Sequence, residues 1–259
     1  MTIAAALLLA VLQGLTEFLP VSSSGHLALA GLLMDVPRSG ISFEIVVHLG
    51  TLVAVLAVYR RDIRDLLAGL AKRERESMVL AGMLLLGSLP AALAGLLLQD
   101  CIEVLFSDPV AVSAMLMVTG TVLFSTRFIR SGARSVPGPG GSLLVGLAQA
   151  LAILPGISRS GMTISAGLIA GIDRERAARF SFLLSVPAIA GAAMLKLGDA
   201  GTLDIGLTPM LAGFTVSALT GYIALRLLLG FLREGRFSMF SWYCWLAGGA
   251  GLVLSLTGT

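Results

Sequence analysis

A chain of 259 residues with 56% hydrophobic and only 13% charged side chains is too apolar for a water-soluble domain, where about a quarter of positions carry charge. Its mean hydropathy of +0.94 describes a polytopic membrane protein, and in that setting a net charge of +3 reflects loop orientation, not a nucleic-acid partner. Cys101 and Cys244 match no metal or redox spacing, which leaves both a structural or incidental role.

The first apolar segment, residues 2–18, is short for a crossing that needs roughly 17 to 25 helical residues. No Lys or Arg precedes Arg38, so the segment lacks the basic flank of a signal peptide. A polar hairpin, Leu19-Pro-Val-Ser-Ser-Ser-Gly-His26, joins it to a second short segment, 25–34. Candidate full spans follow at 42–59, 78–98 and 108–129. Between the first two, the run Arg60 to Glu76 carries six cations and four acids and reads as an amphipathic connector, either a solvated loop or a contact for anionic lipid headgroups. Ser131 to Ser142, with Pro137, Pro139 and four glycines, reads as a flexible linker. Two more short segments, 142–154 and 161–171, flank a second hairpin, Leu154-Pro-Gly-Ile-Ser-Arg-Ser-Gly-Met-Thr163, and spans at 176–197, 207–230 and 239–257 complete the chain.

Sliding the sequence by 136 positions lays Gln13 on Gln149, Leu15 on Leu151, Ser22 on Ser158, Ser24 on Ser160 and Gly25 on Gly161. One unit therefore occurs twice. If each short pair dips into the membrane and returns to its own side, each half holds one re-entrant unit plus three spans, and an odd number of spans inverts the second half. The expected fold class is an all-α polytopic membrane protein with inverted-topology repeats. It forms a single membrane domain over 1–259, with a first repeat at about 1–130, a linker at 131–142 and a second repeat at about 143–259.

Loop charge offers an independent check on that topology. One face gathers Arg60, Arg61, Arg64, Lys72, Arg73, Arg75, Arg127, Arg130, Arg134, Arg174, Arg176, Arg179, Arg226, Arg233 and Arg236, fifteen of the eighteen basic residues. The other face receives Arg38 and Lys196 with Asp35, Asp100, Glu103, Asp108, Asp199 and Asp204. The basic face is expected in the cytoplasm, with both termini outside. The first hairpin then enters from outside and the second from the cytoplasm, with their tips meeting near the middle of the bilayer. Half-helix N-termini at such a meeting point favour an anion.

Ionisable residues at membrane depth are Glu17, His26, Glu44, His48 and Arg159, each costly unless it lines a polar site. Gln13 and Glu17 share a helix face and are suited to coordinate a cation or position a histidine. His26 follows Ser22, Ser23 and Ser24 at a spacing suited to accepting a serine proton, while one of those serines is free to serve only as a helix cap. Arg159, between Ser158 and Ser160, has the fork that phosphate or carboxylate requires. Thr163 either contacts phosphate or bonds its own helix. Glu44 and His48, four apart on the first full span, form either a simple buried pair or part of the site. A serine beside a histidine, with an acid and an arginine, fits phosphoryl transfer better than acyl transfer, and a membrane site points to a lipid phosphate.

At Gln13-Gly-Leu-Thr-Glu17, Pro20-Val-Ser-Ser-Ser-Gly-His26 and Pro155-Gly-Ile-Ser-Arg-Ser-Gly-Met-Thr163, the chain resembles the undecaprenyl-pyrophosphate phosphatase family of the bacitracin-resistance type, over essentially its full length. The resemblance implies hydrolysis of the C55 isoprenyl diphosphate to its monophosphate and inorganic phosphate in the bacterial cytoplasmic membrane, which recycles the carrier for peptidoglycan and other envelope polymers. It implies a divalent cation, Mg2+ or Ca2+, with Glu17 and Gln13 as its ligands. It makes Ser23 the nucleophile, His26 the proton-transfer partner, Glu17 an orienting or metal-binding acid and Arg159 the diphosphate clamp. Ser22, Ser24, Ser158, Ser160 and Thr163 become supporting hydroxyls. The assignment among Ser22, Ser23 and Ser24 stays open, as does a histidine nucleophile. Many family members carry Glu where this chain has Gln13, and an amide ligates a cation only through its carbonyl oxygen, without charge. The expected partners are the polyprenyl diphosphate and the bilayer, with a second copy of the chain as a further candidate and no nucleic acid; the active site is expected to open to the outer face. The competing function is transport or flipping of a phosphorylated lipid or anion, which explains the broken helices but not the grouped serine, histidine and acid.

Overall fold

The computed structural model describes residues 2–33, 41–98, 104–199 and 206–257. Asp35, Arg38, Asp100, Cys101, Glu103 and Asp204 lie outside these residues, as does the end of the 25–34 segment. The described residues form helices α1 (Ile3–Phe18), α2 (Ser23–Leu33), α3 (Ile41–Val58), α4 (Arg60–Ala71), α5 (Arg75–Leu97) and α6 (Pro109–Ser125) in the first half. The second half supplies α7 (Pro139–Leu151), α8 (Arg159–Ile169), α9 (Arg174–Asp199), α10 (Leu207–Arg233) and α11 (Phe240–Thr257).

Segments Arg75–Leu97, Pro109–Phe128, Arg174–Met194, Leu207–Arg233 and Phe237–Thr257 are long and apolar enough to cross a membrane. A sixth crossing is available if α3 and α4, which meet at a 73° bend, count as one. Leu85, Leu89, Leu93 and Leu96 point outward along α5, as do Leu219, Ile223 and Leu227 along α10. Stripes of that kind are stable only against lipid.

The charged run after Tyr59 is not a solvated loop. Arg60–Ala71 is helical, and the chain turns at Lys72 and Arg73 before α5 begins. Ile63 packs on the core while Arg60, Arg61 and Arg64 face outward, so apolar residues on one side stabilise the helix. The linker between halves is likewise shorter than expected, because Pro139 opens α7 and Ser142 is already buried within it.

Four basic segments meet at one end of the bundle. Arg179 pairs with Asp62, Arg233 pairs with Glu175 at 3.1 Å, and Arg127 and Arg174 line one cavity with Gly235 and Ser238. At that same end, Arg134 N–H donates to the Gly171 carbonyl (3.3 Å) and Asp173 N–H donates to the Arg134 carbonyl (3.1 Å). The backbone before α7 is thus tied to the backbone after α8, and the second hairpin returns to the side it came from.

The first hairpin is built against the opposite ends of its neighbours. Ala6, Leu9 and Ala10 of α1 cluster with Phe43 and Val47 at the start of α3 and with Leu27 and Ala30 of α2. Gly14 of α1 faces Ser217 of α10, Phe18 faces Gly221 further along, and Gly213 faces Phe43, so α1 and α3 run parallel to α10. In the other half, Gly87 and Pro90 of α5 face Gly146 of α7, while Gly95 further along α5 faces Ile153 beyond α7, so α7 runs parallel to α5. The principal core joins both hairpins through Phe18, Leu116, Ile164, Phe182 and Leu225, with the Phe18 and Phe182 rings edge to face at 5.7 Å.

Candidate functional site

The turn between α1 and α2 is set by Pro20 and by Ser22, which adopts a left-handed φ of 68°. A non-glycine residue in that region is strained by about 1–2 kcal/mol, and here its hydroxyl compensates by accepting from Gly25 N–H (3.3 Å) at the N-terminus of α2. Ser158 does the same for α8, accepting from Gly161 N–H at 3.1 Å. Between them, Gly156 takes φ 91° and presses onto α6, where an added methyl would stand 2.8 Å from Met115 Cβ. Thr119 of α6 braces this second turn, donating to the Gly156 carbonyl (2.9 Å) and accepting from Ser158 N–H (3.0 Å).

The two turns meet. A methyl group added to Gly25 would lie 3.0 Å from Gly156 Cα, one added to Gly161 would lie 3.4 Å from Pro20 Cβ, and Ser160 Oγ is 3.5 Å from the Leu19 carbonyl. The link with the most chemistry is ionic: Arg159 Nη2 donates to Glu17 Oε1 at 2.8 Å. Glu17 Oε2 accepts from Ser23 Oγ (2.7 Å) and from Gln13 Nε2 (3.1 Å). Gln13 is fully buried and Glu17 is 9% exposed. A carboxylate so enclosed is tolerable because the guanidinium balances its charge and neutral donors fill its lone pairs. Arg159 Nη1 and Gln13 Oε1 are both buried with no hydrogen-bond partner among the described residues.

His26 is not turned toward a serine hydroxyl. Its Nδ1–H donates to the Ser22 carbonyl (2.8 Å), which leaves Nε2 to accept from the Tyr243 hydroxyl (2.7 Å), and the two rings lie nearly parallel. The physical reason is helical geometry. His26 lies one turn after Ser22, so its ring reaches back along α2, while Ser23 is directed at α1. The Ser23 hydroxyl accordingly donates to Glu17 Oε2 and not to the His26 ring.

Thr163 makes the bond to its own helix that was one of its two expected readings. It is fully buried, its hydroxyl lies 2.7 Å from the Arg159 carbonyl one turn earlier, and it meets Ser181 Oγ of α9. Ser24 stays half-buried beside Ser22, with their hydroxyls 3.2 Å apart, and Ser158 and Ser160 form a similar pair at 3.3 Å.

Tyr243 and Thr119 were not expected from the sequence, and no spacing signal connects either with a hairpin. His48 was expected to pair with Glu44 or to join the site, but its approach to Glu17 was not expected. Its Nδ1–H donates to the Glu44 carbonyl (2.8 Å), and its Nε2 lies 3.8 Å from Glu17 Oε2.

Among the described residues no three His, Cys, Asp or Glu side chains converge as a metal cage. The Gln13 amide, whose Nε2 lies on Glu17 and whose Oε1 is orphaned, fits a cation once it turns that oxygen to the carboxylate, with water and substrate oxygens as the remaining ligands, as Mg2+ commonly takes.

The apolar bundle and the grouping of carboxylate, hydroxyls and guanidinium at the meeting of two hairpins define a polytopic α-helical membrane protein with a polar site built into its interior. The chain belongs to the family described as bacitracin resistance protein BacA, whose model matches residues 6–250. Among its relatives is an undecaprenyl-diphosphatase of Desulforapulum autotrophicum, 43% identical over 258 residues that cover 93% of this chain and 94% of the relative. Proteins of the same name in Geobacter sulfurreducens and Methanosphaera stadtmanae are 41% and 37% identical, each alignment covering 98% of both chains.

Proposed function

We propose that the protein is an integral-membrane phosphatase that hydrolyses undecaprenyl diphosphate to undecaprenyl phosphate and inorganic phosphate, returning the lipid carrier to cell-wall synthesis. The carrying observation is the Ser23 hydroxyl on Glu17 at 2.7 Å, with Arg159 on the same carboxylate and one of its nitrogens unpartnered, in a chain related along its length to proteins of that name.

The diphosphate takes over Arg159 from Glu17, with Nη1 and Nη2 forming the fork on its terminal phosphoryl group. Loss of the guanidinium leaves the Glu17 carboxylate free to take a proton at the moment Ser23 is to be deprotonated. Ser23 Oγ attacks the terminal phosphorus as its proton passes to the Glu17 carboxylate, whose Oε1 the departing guanidinium has freed, and the bridging P–O bond breaks to release undecaprenyl phosphate. Water then cleaves the phosphoserine, giving inorganic phosphate and restoring the Ser23 hydroxyl. His26 enters at this second step, its Nε2 exchanging the Tyr243 hydroxyl for the attacking water. Gln13 and Glu17 would hold the divalent cation, which supplies neutralising charge for the diphosphate oxygens.

We further propose that the halves are inverted repeats, that both termini lie outside and that the site opens to the outer face. The collected basic residues and the parallel runs of α1 with α10 and α7 with α5 support this reading. The direct test of function is phosphate release from a polyprenyl diphosphate by purified protein with Mg2+ or Ca2+. Arg159→Ala and His26→Ala are expected to abolish release while the protein stays folded. Wild-type protein that releases no phosphate overturns the proposal.

A further inference from the structure

We infer that His48 is a third protein ligand of the divalent cation and the residue that biases which cation the site prefers. The inference rests on the phosphatase reading and on a cation held at Glu17 and Gln13.

His48 lies on α3, an element that neither hairpin contributes. Its Nδ1–H is committed to the Glu44 carbonyl at 2.8 Å, which leaves the lone pair on Nε2. A histidine whose second nitrogen is fixed on a backbone carbonyl in this way is prepared for metal ligation. Nε2 faces Glu17 Oε2 at 3.8 Å, too far for a hydrogen bond. Two ligands each about 2.1–2.4 Å from one ion stand about 3–4 Å apart, so the gap matches a shared ion.

Gln13 approaches the same oxygen from α1. Its Nε2 lies 3.1 Å from Glu17 Oε2, and its Oε1 is buried without a partner. A half-turn of the amide sets Oε1 beside the carboxylate. That orientation opposes two sets of lone pairs when no cation is present, and a cation between them reverses the sign. Arg159 occupies the other carboxylate oxygen, Oε1, so once the Gln13 amide turns, only the Ser23 hydroxyl remains on Oε2. The Ser23 hydroxyl shares Oε2, so an ion here lies beside the proposed nucleophile. The His48 side chain is 34% exposed, which leaves room for water and substrate oxygens to complete the ligand set.

Carboxylate and amide oxygens alone make a hard site suited to Mg2+ and Ca2+, whereas an added imidazole favours ions that accept nitrogen, such as Mn2+. His48 thus separates this site from an all-oxygen one. The test uses purified wild-type protein loaded with Mn2+ without substrate. Electron spin echo modulation is expected to show a directly bound histidine nitrogen that changes on 15N-histidine labelling and disappears in His48→Gln. By titration calorimetry, His48→Gln is expected to weaken Mn2+ about tenfold and to change Mg2+ affinity less than twofold. Wild-type protein that binds no Mn2+, a bound ion without histidine coupling, or coupling that survives His48→Gln overturns the assignment. Phosphate release in Mg2+ by the same wild-type preparation separates the two readings: activity without histidine coupling sinks the ligand assignment alone. Coupling without activity sinks the phosphatase and leaves the cation site standing.

Discussion

Glu17→Gln removes one charge and almost no volume, and the structure sets how much that charge does. The carboxylate accepts from Ser23, Gln13 and Arg159 at 2.7, 3.1 and 2.8 Å while only 9% exposed. In the variant the amide oxygen can keep the Arg159 bond while the new NH2 faces Ser23, so the Ser23 hydroxyl must accept where it donated and loses its proton acceptor. If Glu17 takes the Ser23 proton, kcat is expected to fall about 10^2- to 10^4-fold, which is about 2.7–5.4 kcal/mol at 1.36 kcal/mol per tenfold. Arg159 is also left without its counter-charge, and breaking a buried pair on one side costs about 3–5 kcal/mol of stability. The assay is single-turnover phosphate release in lipid nanodiscs, with thermal unfolding in parallel to separate the two losses. Ser23→Ala should be as inactive as Glu17→Gln, and the double variant should lose little more, because groups that act as a unit are not additive. A folded Glu17→Gln protein that keeps more than a tenth of wild-type kcat would refute the reasoning and return the proton to His26.

Thr163→Val removes a hydroxyl bonded within its helix and to Ser181, so it should lower stability by about 1 kcal/mol in thermal unfolding and leave KM for the diphosphate unchanged. A tenfold rise in KM would restore the phosphate contact expected from the sequence. Gly156→Ala places a side chain at φ 91° against α6 and is expected to cost at least about 1–3 kcal/mol in the same measurement, and an unshifted unfolding temperature counts against the hairpin packing. Arg159→Lys keeps the charge and loses the fork; kcat/KM should drop by one to two orders of magnitude, and near-normal turnover would argue against a bidentate clamp. Single cysteines at Arg64 and Arg130, in protein otherwise free of cysteine, should react with an impermeant thiol reagent only from the cytoplasmic side of oriented vesicles. Labelling of the two from opposite sides would break the proposed topology.

Segment lengths made most of the helix pattern legible. An apolar run of fixed length admits one helix, and Pro20, Pro155 and the serine caps mark where the short ones stop and restart. The expected 207–230 span became Leu207–Arg233, and 161–171 became Arg159–Ile169. The bend at Tyr59 was hidden because helix continues on both sides of it, and hydropathy carries no direction. Glu17, Arg159 and Ser23 were legible as ionisable or hydroxyl groups at membrane depth, and the structure brings all three together. The approach of Tyr243 to His26, of Glu17 to His48 and of Ser181 to Thr163 was not, because each is decided by which face of a helix meets which neighbour. Tyr243 lies 217 residues from the histidine it holds, a pairing that only tertiary packing creates.

The backbone tie between Arg134 and Ile172 also makes the second hairpin a ruler. With its mouth closed at the basic end, the thirteen residues of α7 reach about 20 Å inward at 1.5 Å each, and the sixteen of α1 reach about 24 Å from the other end. Together they exceed a hydrocarbon core of about 30 Å, so the tips must lie side by side, as the contact of Gly25 with Gly156 requires. The depth at which Arg159 waits is thereby fixed by helix length. On the proposed topology and mechanism, a lipid diphosphate, whose charged head rests at the membrane surface, has to leave that surface and sink between the hairpins before either phosphate can reach it.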